Sequence, residues 1–240
     1  MSNSATTSPA ATEYVDERYY EVAQPRSLGE RVVIAARDRI YQDFLKDCEP
    51  KATDTILDIG VSDVINDAAN VLERRYAHAS NITAAGLGEG GDFKAEFKDI
   101  NYVQIEAGKP LPFADKVFDI ATSNAVLEHV GSTAAQCAFI AEHMRVARLV
   151  YITVPHRFFP IEHHTAIPFA HWNDKAFELA CRMTGKTSWT DRENLILMSR
   201  SWLSKLVPPR TKATIRYTGL NLGLLSSNLA LIIDQRQGQE

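Results

Sequence analysis

The chain has 240 residues, 45% of them hydrophobic and 23% charged, with a formal net charge of −4. That length suits one full domain or a domain with a small annex, and the acidic balance argues against a face built to hold nucleic-acid backbone. No apolar run approaches the roughly 20 residues of a membrane span, the N-terminus lacks the basic start and apolar core of a secretory signal, and three scattered cysteines, Cys48, Cys137 and Cys181, show neither metal nor disulfide spacing and fit a reducing cytoplasm.

Residues 1–13 carry too little apolar content to pack and read as a disordered tail. Residues 14–50 read as an N-terminal helical segment. Ser27 and Glu30 make a capping box, and Val32, Val33, Ala36, Ile40 and Phe44 recur at helical spacing until Pro50. This segment either forms a lid over a ligand, with Tyr14, Tyr19 and Tyr20 on its aromatic side, or packs outside the main fold. The remainder, 51–240, reads as one domain with an insertion at 155–210 on its substrate side.

Within that domain the stretch TDTILDIGVSD, 53–63, gives a short buried strand at 56–59, an acid at Asp58 and a close turn at Gly60. A helix is expected over 63–76, a strand over 81–87 and a glycine-rich loop, GEGGD, over 88–92. A third strand covers 101–105. Pro110 and Pro112 then stiffen the connection to a fourth strand over 117–123. A helix over 132–147 leads to a fifth strand over 149–154, which Pro155 ends. Helices over 173–183 and 194–206 precede two late strands, 213–217 and 228–233. Alternating strands and helices with a terminal strand pair mean an α/β sheet with helices on both faces. Ligands in such sheets sit at the carboxyl ends of the strands.

Three pieces of the chain, ILDIG at 56–60, LPFADKVFDIATSNAVLEHV at 111–130 and VPHRFFPIEHHTAIPFAHW at 154–172, together resemble the class I S-adenosylmethionine-dependent methyltransferases of the methyltransferase domain 11 type. The resemblance spans about 50–235, and the middle piece is its most specific part. It implies a Rossmann-like, doubly wound, mostly parallel seven-stranded sheet with an antiparallel C-terminal strand. S-adenosyl-L-methionine is the implied cofactor. Gly60 and the amides of Val61, Ser62 and Asp63 would meet the methionine carboxylate, and Asp58 the amino group. The acid that relatives use for the ribose is replaced here by Gly88, which leaves Glu89 for that role. Glu106 and Ala107 match the pair that meets the adenine, and Asn124 and Ala125 run along the methionine and ribose.

The first loop departs from relatives. It reads Gly60-Val61-Ser62-Asp63 where they continue with glycine, so either Ser62 and Asp63 supply polar contacts, Asp63 also capping the helix, or the site is degenerate. On the acceptor side, His129, His164 and Glu162 are the catalytic candidates, with Glu162 orienting a histidine base. His156, Arg157, Phe159, His163 and Trp172 are candidates for the acceptor wall, Arg157 for an anionic group. A metal is not expected, because the adjacent His163 and His164 point different ways and do not share an ion.

The function implied is methyl transfer to an oxygen or nitrogen of a small-molecule or glycan-linked acceptor in the cytoplasm, with no nucleic acid and no membrane span. The late strand pair offers an edge for a homo-oligomer. The alternative is a non-catalytic binding or scaffold protein on the same fold. A nicotinamide-dependent oxidoreductase fits less well, because one glycine stands where three are wanted.

Overall fold

Seven segments of the chain, five of them largely apolar, become the seven strands of one sheet. The computed structural model describes residues 28–63, 65 and 69–236, with side chains from Val33 onward. The expected tail at 1–13, the three lid tyrosines and Ser27 of the capping box lie outside the described residues, as do the side chains of Glu30 and Val32. Strands β1 (Ile56–Ile59), β2 (Ile82–Gly86), β3 (Asn101–Gln104), β4 (Phe118–Asn124) and β5 (Ala147–Pro155) precede β6 (Ala213–Thr218) and β7 (Asn228–Asp234). Their order across the sheet is β3-β2-β1-β4-β5-β7-β6. The first five pair in parallel, and β7 runs antiparallel to both of its neighbours. This is the Rossmann-like, doubly wound sheet expected from the sequence. Of the late pair, only β6 lies at the sheet edge.

Alternate residues of the central strands feed opposite faces, which is why these strands read as unbroken apolar runs. Ile56, Ile120, Leu149 and Tyr151 pack with Ile40, Phe44 and Cys48 of helix α1 (Leu28–Cys48). Phe44 meets Tyr151 edge to face, centroids 5.4 Å apart. Leu57 and Ala121 pack on the other face with Val146 of helix α4 (Thr133–Val146). Val150 and Ile152 pack there too, with Ile140 of α4. Ser132 caps α4 by accepting the Ala135 amide at 3.2 Å.

Three elements differ from expectation. Of the helix expected over 63–76, positions 64 and 66–68 lie outside the described residues; the rest contains α2 (Val71–Arg75), preceded by Asn70, which adopts a left-handed conformation (φ 54°) and whose side-chain amide bonds both the amide and the carbonyl of Ser62. The GEGGD loop gives way to a short helix, α3 (Gly91–Glu96), whose Phe93 amide donates to Asp63 Oδ1 at 2.8 Å. The helix over 194–206 begins only at α6 (Arg200–Leu206), after the Ser199 cap. Helix α5 (Asp174–Thr184), capped by Asn173, stands where the sequence placed it.

Candidate active site

The carboxyl ends of β1 and β4 are neighbours, and the turn after β1 is fitted tightly against the segment after β4. Gly60 has φ 88°, and a Cβ on it would lie 2.5 Å from Val126 Cγ2, so the turn requires glycine. The Gly60 and Val61 amides both donate to the Ala85 carbonyl, at 2.7 and 3.3 Å. The Ser62 amide donates to Asn70 Oδ1 at 3.1 Å. Of the amides expected to face a carboxylate, those of Val61 and Ser62 are thus engaged inside the protein, and Val61 turns its side chain onto the core. Asp63, expected to cap the helix that follows it, caps α3 instead.

Asp58, half-buried at the end of β1, faces Glu73 of α2. Burial, the charge of Glu73 and a hydrogen bond with it hold the Asp58 carboxyl well above the usual range, and burial raises Glu73 as well. Both carboxyls are thus biased toward the neutral form, and among the described residues neither Glu73 oxygen has another hydrogen-bond partner. Beside them, Asn124 Oδ1 accepts from Thr153 Oγ1 at 2.6 Å, and the Ala125 amide donates to the Thr153 carbonyl at 2.9 Å. Glu89 is exposed after β2, its carbonyl accepting from Lys94 Nζ at 2.6 Å. Glu106 and Ala107 are exposed in the turn after β3. The structure brings Asp58, Gly60, Asn124 and Ala125 to two adjacent strand ends, with Glu89 and Glu106 farther along the same edge.

The loops after β4 and β5 meet in a chain of buried polar groups. Glu162 Oε2 accepts from the amides of His164 (3.0 Å) and Thr165 (2.5 Å) and from Thr165 Oγ1 (2.7 Å). Its Oε1 lies 2.9 Å from His164 Nδ1. His164 Nε2 lies 3.1 Å from His129 Nε2, and His129 Nδ1 lies 2.6 Å from the Asn194 carbonyl. A carbonyl and a carboxylate only accept, so both Nδ1 atoms carry hydrogen. The facing Nε2 atoms then bond only with one proton between them, which gives the pair a single positive charge opposite Glu162.

The electrostatics agree with that assignment. Burial works against charge on His164, but the hydrogen bond to Glu162 and the charges of Glu162 and Glu128 raise its pKa. Burial and the charge of His164 lower His129 to about 3. Burial opposes ionisation of Glu162 too, yet His164 and Thr165 hold it below the usual carboxylate range. Trp189 covers the pair, its ring centroid 4.9 Å from that of His164 and 6.3 Å from that of His129.

The sequence offered no reason to single out Glu128, Asn194 or Trp189. Glu128 sits in the 3-10 turn Leu127–His129 and is 1% exposed, and neither of its carboxylate oxygens has a hydrogen-bond partner. Burial raises its pKa to about 7. Its position beside His129 in LEHV was the one available signal.

The acceptor-wall candidates are positioned differently from one another. Arg157 does not present a bare guanidinium, since Nη2 donates to Asp174 Oδ1 at 2.5 Å and to the Trp172 carbonyl at 3.3 Å. It ties the loop to α5 instead of awaiting an anion. His156 is anchored through Nδ1, 3.1 Å from the Ser226 carbonyl. Phe159 is buried, and its carbonyl accepts from His171 Nε2 (2.8 Å) and Trp172 Nε1 (3.2 Å). His163 stacks edge-on to Phe159 and has no hydrogen-bond partner on Nε2. A cavity of about 10 Å³ adjoins Glu128, Glu162, His163 and His171.

Residues 57–149 match the methyltransferase domain family. No curated protein matches the chain. Several solved structures share its fold. One, from Rhodobacter sphaeroides and named as a candidate zinc-dependent alcohol dehydrogenase, is 12% identical, with 87% of this chain and 98% of that one covered and a TM-score of 0.56. A SAM-dependent methyltransferase of Thermotoga maritima is 14% identical, with 86% and 94% covered and a TM-score of 0.53. The N-methyltransferase NodS of Bradyrhizobium japonicum, in complex with S-adenosyl-L-homocysteine, is 11% identical, with 82% and 85% covered and a TM-score of 0.50. At such identities the likeness concerns the fold.

Proposed function

We propose, from the premise that residues 57–149 form a domain of the methyltransferase family, that the chain methylates an oxygen or nitrogen of a small-molecule or glycan-linked acceptor, with S-adenosylmethionine as donor. The observation that carries this reading is the hydrogen-bonded series Glu162, His164, His129, built where the loops after β4 and β5 meet.

The residues at the strand ends fit the donor. Asp58 and Glu73 place two carboxyls, short of donors, at the end of β1, which suits the ammonium of the methionine part. Gly60 leaves no side chain beside that pair, and Asn124 and Ala125 border it. Glu89 and Glu106 are the acids within the neighbouring loops for ribose hydroxyls and the adenine amino group. The cofactor supplies a methyl group already activated on a sulfonium, so the chain's own tasks are alignment and removal of the acceptor proton.

His129 and His164 suit the second task. The pair must first release the proton it holds to solvent; two lone pairs then face each other across 3.1 Å, an arrangement that takes up the acceptor proton strongly. Glu162 is a positioning residue that fixes the His164 ring and offsets the charge the pair gains. Trp172 and, in part, His163 are the side chains of the wall with surface to offer an acceptor; His156, Arg157 and the buried Phe159 hold that wall together.

The test is methyl transfer from labelled S-adenosylmethionine to small-molecule and glycan fractions of a cell extract. Label should appear in an acceptor with the native protein and fall by about 10²–10⁴-fold in His164→Ala, the range for loss of general acid–base catalysis. Absence of both transfer and S-adenosylhomocysteine binding at millimolar ligand would overturn the proposal. A second reading, a non-catalytic binding protein on this fold, has one specific observation in its favour: the amides of Gly60, Val61 and Ser62 are already bonded internally. Detectable transfer abolished by Gly60→Arg rules that reading out.

A further inference from the structure

Glu128, His129 and His164 are three ligand-type side chains whose donor atoms lie within 4.8 Å of one another. We infer that they form a binding site for one divalent transition-metal ion of the zinc class, held by the two imidazole Nε2 atoms and the Glu128 carboxylate.

Three features support this. Both rings are turned the way metal-bound imidazoles are turned. Each Nδ1 hydrogen is spent on an outer acceptor, Glu162 for His164 and the Asn194 carbonyl for His129. The two Nε2 atoms are 3.1 Å apart, and two nitrogens on a tetrahedral zinc, each about 2.05 Å from it, stand about 3.3 Å from each other. Glu128 is buried with neither oxygen hydrogen-bonded, a state that is costly without a cation. Its Oε1 lies 3.8 Å from His129 Nε2, and all three donor atoms lie within 4.8 Å of one another, so closure onto a shared ion draws the carboxylate about 0.5 Å toward His129 and up to about 1.5 Å toward His164 by the same geometry.

Charge is consistent as well. Glu128 and Glu162 bring two carboxylates to the centre, where the charge of His164 acts on Glu128 first and that of Arg37 of α1 after it. The sequence argued against a metal through the adjacent pair His163 and His164. The set proposed here is a different one, with one ligand from the loop after β5 and two from the loop after β4. Three protein ligands and an open position are the pattern of a catalytic ion. Binding forms two nitrogen–metal bonds and one oxygen–metal bond and expels the proton held between the imidazoles. With the ion bound the two Nε2 lone pairs are occupied, so the ion, coordinating the acceptor and easing its deprotonation, takes the place of the imidazole base; only that role rests on the methyltransferase reading. The binding itself does not.

Metal alone is the probe. The full-length protein, stripped with chelator, is titrated with zinc chloride by calorimetry, and with cobalt(II) to read the visible absorption of a tetrahedral site. One ion per chain is expected, with micromolar or tighter affinity. Glu128→Gln and His129→Asn should each weaken it at least 100-fold, Glu162→Gln about 10–100-fold, and His163→Asn should leave it unchanged. Circular dichroism confirms that each variant is folded; for any that is not, cobalt spectra of the native protein decide through their ligand-field bands. No binding at 100 µM zinc overturns the inference. So does binding that survives Glu128→Gln and His129→Asn, or an octahedral cobalt spectrum with no sign of nitrogen ligation. Zinc binding without methyl transfer would overturn the catalytic role and leave the site standing.

Discussion

The γ2 methyl of Val126 occupies the space in which a side chain on Gly60 would begin, 2.5 Å from that ideal Cβ. The turn after β1 and the segment after β4 are therefore fitted to each other with no tolerance. Gly60→Ala should cost about 1–3 kcal/mol, from both the clash and the positive φ, as read by urea denaturation. It should also weaken S-adenosylhomocysteine binding. Adding Val126→Ala should recover part of the stability, because it relieves the clash but not the backbone strain. Full recovery would show that φ contributes nothing.

The Asp58–Glu73 pair has a pH signature of its own. Both carboxyls titrate above their ordinary values, Asp58 chiefly through burial and then Glu73, and Glu73 chiefly through burial. A group whose folded pKa is raised stabilises below its unfolded pKa and loses that stability as pH rises through the folded one. Glu73→Gln removes one member and gives Asp58 an amide donor. The variant should match the native protein near pH 4 and exceed it in stability at neutral pH, in thermal denaturation followed across that range. Its affinity for S-adenosylhomocysteine should fall, since the ammonium of the ligand loses one carboxylate.

His143 is an opposite case. It is buried in α4, with Nδ1 donating to the Phe139 carbonyl at 2.8 Å and Nε2 without a partner. Burial depresses its pKa to about 4. A depressed histidine contributes stability that is complete above pH 6.5 and is lost as pH falls toward 4, here about 3 kcal/mol over the interval. His143→Gln should flatten the acid side of the stability curve between pH 6.5 and 4 while lowering its plateau. An unchanged slope would mean that other groups govern acid unfolding.

Glu162 should separate catalysis from cofactor binding. Glu162→Gln keeps the size of the side chain but removes the charge that faces His164 at 2.9 Å. Turnover should fall about 10–100-fold with the affinity for S-adenosylhomocysteine unchanged, whereas a merely structural role would move both together or neither.

The sheet was legible because each strand carries its own signal: short aliphatic runs bounded by turn residues, such as Ile56–Ile59 and the run around Tyr151. What could not be read is what depends on residues far apart. Nothing near Gly91 announces a helix, because the group that meets its first-turn amide is Asp63, 30 positions earlier. The start of the helix drawn over 63–76 was misplaced among its described residues for the converse reason. Asn70 spends its amide on Ser62 and breaks the local periodicity. His129, His164 and Glu162 were visible as residue types, yet their convergence depends on two loops that only the β4–β5 pairing brings together. Asn194 acts through a backbone carbonyl, which no sequence pattern marks, and Glu128 looked like one more acid in a short turn.

One consequence lies in how the segment after β5 holds its shape. Residues 162–165 belong to no helix or strand, yet a single carboxylate, that of Glu162, takes the amides of His164 and Thr165 together with the Thr165 hydroxyl, and Lys186 Nζ secures the Thr165 carbonyl. These amides are buried and bonded to an ionised acceptor. In deuterium they should exchange on the timescale of the central strands rather than of a surface loop, and one substitution, Glu162→Gln, should release them while leaving the protection of β5 in place.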